Sequence, residues 1–332
     1  MKKHIYIYSP SGAVRDKAAF KRGVARLKTL GYEVEIDSAA LASYLRFAGD
    51  DTTRLAAIHR AAASGADIAL ISRGGYGLSR ILGGIQYKKI AGAIEKGMLF
   101  IGISDFTAFQ NAVLARTGAI TWAGPALCEG FGVGGKADLL KAHAHGEECQ
   151  PDEIMEACFD DLVRGQGEGA GWRQHRERQS ASSTDPDAAM ASAAQAQLSI
   201  KNALMWGGNL SVLTSLLGTP YFPQISKGIL FLEDVGEQPY RIERMLTQLL
   251  HAGVLGRQKA VVLGQFTEFK QVPHDRGYKM ATVVNWLRQH VKALVLTNLP
   301  YGHVATKVLL PVGAKSDLLV EGRDALLFWG HL

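Results

Sequence analysis

The sequence predicts an α/β protein in two parts: a parallel sheet covered by helices, then a second α+β unit. Three features point to it. Short apolar strands alternate with helices through the first half of the chain. Gly31 and Gly65 close the first two helices, where a left-handed residue is wanted. A stretch rich in Ala, Ser, Gln, Gly and Arg, about 165–197, then breaks the pattern before order resumes near Leu198.

Residues 5–8 read as the first strand and 14–30 as the first helix. Strand 33–36, helix 52–64, strand 68–72, helix 90–96 and strand 99–103 follow, and 108–114 is helical again. Strands this short and apolar are buried on both faces, as parallel strands under crossover helices are. Ligands bind beyond the carboxyl ends of such strands. Two glycine-bearing turns belong on that rim: Arg73-Gly74-Gly75-Tyr76-Gly77, and the turn around Ser104. Beyond Leu198, strands at 228–233, 260–264, 293–296, 307–311 and 318–320 mix with helices at 239–250 and 278–290. The predicted division is an N-terminal domain at 1–148, a connector at 149–198 carrying the insertion, and a C-terminal domain at 199–332. Residues 180–187 have almost nothing to bury and are expected to form a mobile loop or linker.

Of 332 residues, 47% are hydrophobic and 20% charged, which is enough apolar content for a sizeable soluble core. The net charge of +6 comes without a dense basic stripe or interleaved aromatics, which speaks against nucleic-acid binding. A mild positive field suits a small substrate rich in carboxylates. Cys128, Cys149 and Cys158 are odd in number and form no C-x-x-C pair, so a reducing compartment is expected. The apolar N-terminus is too short for a signal peptide, and no run reaches membrane-span length. No membrane partner is expected.

Ser104 follows an apolar strand and a glycine step in Gly102-Ile103-Ser104-Asp105-Phe106-Thr107, and a helix follows it. A serine at a tight strand-to-helix turn is lifted off the sheet beside free backbone N–H groups, which suits a nucleophile and an oxyanion site. Such a serine needs a base, usually a histidine oriented by a carboxylate. His303 sits in a turn punctuated by Pro300 and Gly302 just after a strand, where it either faces a cleft or is a plain loop histidine. His143 and His145 fall on a surface helix, and His251 at a helix C-terminus. Glu233 ends a buried strand and needs a partner to offset desolvation. Alternatively Glu233, Asp234 or Glu237 caps the helix that begins near Pro239.

The Gly74–Gly77 turn has two readings: a phosphate cradle, though it matches neither G-x-G-x-x-G nor a Walker loop, or an oxyanion site. Its N–H groups at Gly75 and Tyr76 are candidate oxyanion donors beside that of Asp105. Arg80 is either a bidentate carboxylate receptor or an ordinary surface arginine. No zinc spacing occurs, so neither metal nor other cofactor is expected. Trp206, Phe222 and Tyr240 are expected to pack a core.

Five motifs in register resemble the LD-carboxypeptidases (muramoyltetrapeptide carboxypeptidases), a family that includes the microcin-immunity peptidases. They are Arg73-Gly74-Gly75-Tyr76-Gly77 with Arg80; Gly102 to Thr107; Trp206-Gly207-Gly208-Asn209-Leu210; Leu232-Glu233-Asp234-Val235-Gly236-Glu237-Gln238-Pro239-Tyr240-Arg241; and Gly302-His303. The resemblance implies a Ser104–Glu233–His303 triad. It implies an N-terminal Rossmann- or flavodoxin-like domain, a smaller β-rich swivelling C-terminal domain, and a cytoplasmic homodimer. The implied substrate is a peptidoglycan tetrapeptide losing terminal D-Ala. Tyr76, Arg80 and Arg241 are then candidate substrate contacts, with either arginine suited to the terminal carboxylate. Two alternatives stay open: a microcin-immunity-type peptidase acting on aminoacyl or peptidyl nucleotides, with Trp172 as the base-stacking aromatic, and a non-catalytic small-ligand-binding protein.

Overall fold

The computed structural model describes residues 2–135, 150–175 and 198–332. Five strands of the first half form a parallel sheet: β1 (His4–Tyr8), β2 (Glu33–Ile36), β3 (Ile68–Ile71), β4 (Leu99–Gly102) and β5 (Thr121–Ala123). Their order in space is β5-β4-β3-β1-β2. The connecting helices are α1 (Lys17–Thr29), α2 (Asp51–Ala63), α3 (Leu78–Ile81), α4 (Tyr87–Glu95) and α5 (Phe106–Thr117). The first of these begins later than the apolar pattern suggests. Asp16 caps it, accepting from the N–H groups of Ala18 and Ala19, and a capped start defines the first turn better than hydrophobicity does.

Helix α5 is buried from Phe106 to Leu114, all but its last turn. A helix enclosed on every face belongs in an interior, and its buried Thr107 and Asn111 bond to the C-terminal half. It lies between the first sheet and the second, touching β4's neighbours on one side and the C-terminal unit on the other.

The second sheet contains β6 (Gly169–Arg173), β7 (Leu198–Asn209), β8 (Ile229–Val235), β9 (Ala260–Thr267), β10 (Leu294–Leu296), β12 (Lys315–Glu321) and β13 (Asp324–Phe328). Its order is β10-β9-β8-β7-β12-β13-β6. Strands β7 to β10 are parallel and the remainder antiparallel. The helix Pro239–His251, α8 after α6 (Glu153–Val163) and α7 (Leu210–Ser215), buries Ile242, Met245, Leu246 and Leu249. The last helix, α9, is Met280–His290. Strand β11 (Leu310–Val312) leaves this half of the chain and pairs antiparallel with β5, extending the first sheet.

Two expectations are corrected here. The stretch taken as an insertion is not irregular from its start, because Gly169–Arg173 pairs with β13 in register over five residues. Backbone hydrogen bonding to a distant strand overrides a composition with little to bury. Tyr240 does not pack a core: it is 51% exposed, whereas Trp206 and Phe222 are buried against each other edge to face. His143, His145, Cys149 and the 180–187 segment lie outside the described residues.

Candidate active site

Ser104 stands just beyond β4 with φ 66°. That left-handed conformation costs a residue with a side chain roughly 1–2 kcal/mol. A Cβ at Gly102 would lie 2.6 Å from the Phe106 ring and 2.7 Å from Ile71, so the strand ends on glycine and the helix starts at once. The Thr107 N–H donates to Ser104 O at 2.9 Å, and that of Phe106 to Ile103 O at 3.2 Å.

The turn after β3 presses against the serine. A Cβ at Gly74 would stand 2.6 Å from Ser104 Cβ and 2.8 Å from Oγ. Gly74 O is braced by the Gly12 N–H at 3.1 Å. Among the described residues, the backbone N–H groups of Gly75, Tyr76 and Asp105 donate to no protein acceptor. The Asp105 side chain is structural: buried, it accepts from Ser11 Oγ and from the Leu78 N–H at 2.9 Å. Burial pushes its carboxyl up, against the pull of those donors and of Arg54.

Glu233 is fully buried in β8. The β8–β9 register shifts between Leu232 and Asp234, and such irregularities re-aim side chains beside active sites. Its Oε2 lies 2.8 Å from His303 Nδ1, and its Oε1 accepts from Asn209 Nδ2 at 3.1 Å. Gly302 (φ 143°) permits this approach, since a Cβ there would meet Gln265 O at 3.0 Å and Glu233 Cβ at 3.3 Å. Burial draws the His303 pKa down, but the Glu233 hydrogen bond and the charges of Glu233 and Glu129 outweigh it, and the net shift is upward. With Nδ1 committed to Glu233, Nε2 is the nitrogen left for chemistry. Neither Nε2 nor Ser104 Oγ makes a hydrogen bond among the described residues, so the structure forms the Glu233–His303 pair and leaves the serine unpaired. Catalytic hydrogen bonds often close only on substrate binding.

Residues without a sequence signal connect the two halves. Asn209, at the end of β7, donates its backbone N–H to Thr107 Oγ1 at 3.0 Å and its side-chain amide to both Glu233 and Asp234. Asn111, also on α5, donates to Gly207 O at 2.9 Å. Asn209 belongs to the Trp206–Leu210 motif, but its residue type does not specify these partners. Glu129 sits on the helical turn Leu127–Phe131, 47% exposed and 3.4 Å from Arg73 Nε. Surrounding protein pushes its carboxyl up, while Arg73, His303 and Lys307 oppose that. Lys307 is buried nearby.

Several candidates take other roles. Arg80 donates from Nε and Nη2 to Asp51 at 3.2 and 2.9 Å and lies over Phe47, so its guanidinium already has a carboxylate. Arg241 is exposed, donating to Tyr240 Oη and lying 3.8 Å from Glu237. Tyr76 remains half-exposed on the rim, against Phe47 and Arg46. Neither Asp234 nor Glu237 caps the 239 helix, which opens on Pro239 with no side-chain cap. Asp234 instead accepts from Asn209, Ser211 and Val235, its carboxyl pushed up to about 6 by burial and the Glu233 charge. Trp172 is buried and donates to Thr297 O at 3.0 Å, so it is not free to stack on a base.

Among the described residues no group of three or more His, Cys, Asp or Glu could hold a metal ion, and no helix is long and apolar enough to cross a membrane. A concavity of about 490 Å³ lies away from Ser104, on β6, β12 and β13, and its polar lining is Lys201 and Asp317, which pair with each other.

Two α/β units meeting at a strained serine turn form the frame of a hydrolase. Residues 5–124 match the family model described as the LD-carboxypeptidase N-terminal domain, and 202–318 match that of the C-terminal domain. The chain belongs to the LD-carboxypeptidase family, whose members are serine peptidases with carboxypeptidase activity. The crystal structure of muramoyltetrapeptide carboxypeptidase from Oxalobacter formigenes superposes with a TM-score of 0.80 and 33% identity, over 99% of each chain. The probable murein peptide carboxypeptidase of Bacillus subtilis is 27% identical over 91% of this chain and 84% of its own. The Microcin C7 self-immunity protein MccF of Escherichia coli is 26% identical over 76% of this chain and 70% of its own.

Proposed function

We propose that this protein removes the terminal D-Ala from murein tetrapeptide (L-Ala-D-Glu-meso-diaminopimelate-D-Ala), as a cytoplasmic homodimeric enzyme of peptidoglycan recycling. The observation that carries the proposal is the 2.8 Å His303–Glu233 pair, which Asn209 ties to Thr107 in the helix that Ser104 precedes. His303 Nε2 takes the Ser104 hydroxyl proton, while Glu233 holds the ring tautomer and stabilises the imidazolium. Ser104 Oγ adds to the carbonyl of the L-centre. The backbone N–H groups of Asp105, Gly75 and Tyr76 meet the oxyanion; one such donor is worth about 3–4 kcal/mol of barrier. The amide C–N bond breaks as D-Ala takes the proton from His303, and water then hydrolyses the acyl-enzyme.

The names of the Oxalobacter and Bacillus proteins support a murein peptide substrate. The buried position of Trp172 removes the sequence argument for a nucleotide conjugate. The test incubates the enzyme separately with murein tetrapeptide and with an aminoacyl sulfamoyl adenosine. Equimolar D-Ala and tripeptide from the first are expected. Cleavage of the nucleotide conjugate without D-Ala release would overturn the assignment.

A further inference from the structure

An enzyme that removes one C-terminal residue must meet a free carboxylate a single residue beyond the attacked carbonyl. Both arginine candidates already face carboxylates of the protein, Arg80 that of Asp51 at 2.9 Å and Arg241 that of Glu237 at 3.8 Å. One buried cation has no such partner. Lys307 is 3% exposed, and among the described residues its ammonium makes no hydrogen bond and no ion pair.

Strand register sets it on the same rim as the nucleophile. Gly102 pairs with Ala123 across β4 and β5, and Ala123 pairs with Leu310 across β5 and β11. One step further, Gly124 donates its N–H to Gly102 O at 3.0 Å, and a Cβ on it would meet Leu309 Cγ at 2.9 Å. Lys307 precedes Leu309 by two residues and Ser104 follows Gly102 by two, so both stand beyond this rim of the sheet. The four-carbon lysine stem gives the ammonium reach along it. Its backbone is pinned on both sides: Thr306 Oγ1 donates to Asp152 Oδ2 at 2.6 Å, and the Val308 N–H to Pro300 O at 2.8 Å.

We propose that Lys307 is the receptor for the terminal carboxylate of the peptide substrate. This rests on the carboxypeptidase function above. A buried, unpaired ammonium is unfavourable, and a carboxylate arriving from the substrate offsets that cost. Burial lowers the pKa of Lys307, and Glu129, Glu233 and Asp152 act from beyond ion-pair distance to support its charge. Those same carboxylates leave little tolerance for a second unpaired anion, so an acid terminus is accepted only where the ammonium meets it.

The experiment compares kcat/KM for murein tetrapeptide ending in D-Ala with that for the same peptide ending in D-alaninamide. The wild-type enzyme is expected to prefer the acid by roughly 10- to 100-fold, the range of a buried charged hydrogen bond. Lys307→Met is expected to bring the ratio close to one while retaining amide cleavage. The ratio does not depend on the fraction of folded enzyme, and Lys307→Gln serves as a second variant with a polar tip. Equal wild-type rates on acid and amide, or an unchanged preference in either variant, would overturn the inference. Failure of the wild-type enzyme to cleave either peptide would instead overturn the carboxypeptidase function itself.

Discussion

Thr107 and Asn209 are joined across the two halves of the molecule: the Asn209 backbone N–H donates to Thr107 Oγ1 at 3.0 Å. Thr107 lies in the first turn of the helix that Ser104 precedes, and the Asn209 side chain holds Glu233. One hydrogen bond therefore couples the position of the nucleophile to that of the carboxylate. A Cβ at Gly208 would stand 2.5 Å from the same Oγ1, so glycine is required for the contact.

Thr107→Val keeps the shape and removes the acceptor. The buried N–H left unpaired costs about 1–3 kcal/mol. Thermal unfolding of the variant should occur at lower temperature, kcat should fall, and Thr107→Ser should restore both.

Asn209→Ala removes the shared donor to Glu233 and Asp234 and the cap on the Val212 N–H. Loss of the cap alone costs roughly 0.5–2 kcal/mol. Asn209→Asp retains the cap but sets a third carboxylate beside two. Its stability deficit, measured by denaturant unfolding, should narrow as the pH falls through the Asp234 value of about 6, where that carboxylate is neutralised.

Gly74→Ala should damage catalysis more than folding. The new methyl would stand 2.6 Å from Ser104 Cβ, and the backbone at this site needs no left-handed conformation. A displacement on the order of 1 Å at a reacting group costs about 10²-fold. Steady-state kinetics should show that loss in kcat, with the melting temperature little changed.

His303 must be neutral to accept a proton, and its pKa is raised by Glu233 and Glu129 over the opposing effect of burial. The acidic limb of kcat/KM should therefore lie above the ordinary histidine value of about 6.5. Glu129→Gln removes one source of the upward shift. Its pH–rate profile should move to lower pH, the imidazolium being less stabilised.

The paired sheets and the Ser104 turn were legible in the sequence, because strand–glycine–serine–helix is a local pattern with a steric cause. The convergence of Glu233 and His303 was legible only through the resemblance, as nothing local links residues seventy positions apart. What stayed hidden depends on distant partners. Strand Gly169–Arg173 exists because β13 pairs with it, and no feature of its own sequence specifies that. Capping is one of two readings the sequence leaves open for Asp234, because caps are local, but its carboxylate accepts from Asn209 and Ser211 instead. Lys307 looked like part of a strand, and its burial follows from β11 crossing to the first sheet.

The most direct measurement is D-Ala release from murein tetrapeptide by Ser104→Ala, with wild-type and His303→Ala enzymes alongside. Loss of roughly 10⁴- to 10⁶-fold in kcat is expected for both variants, since members of such a unit fail together. D-Ala release by Ser104→Ala at the wild-type rate would contradict a serine nucleophile at this turn.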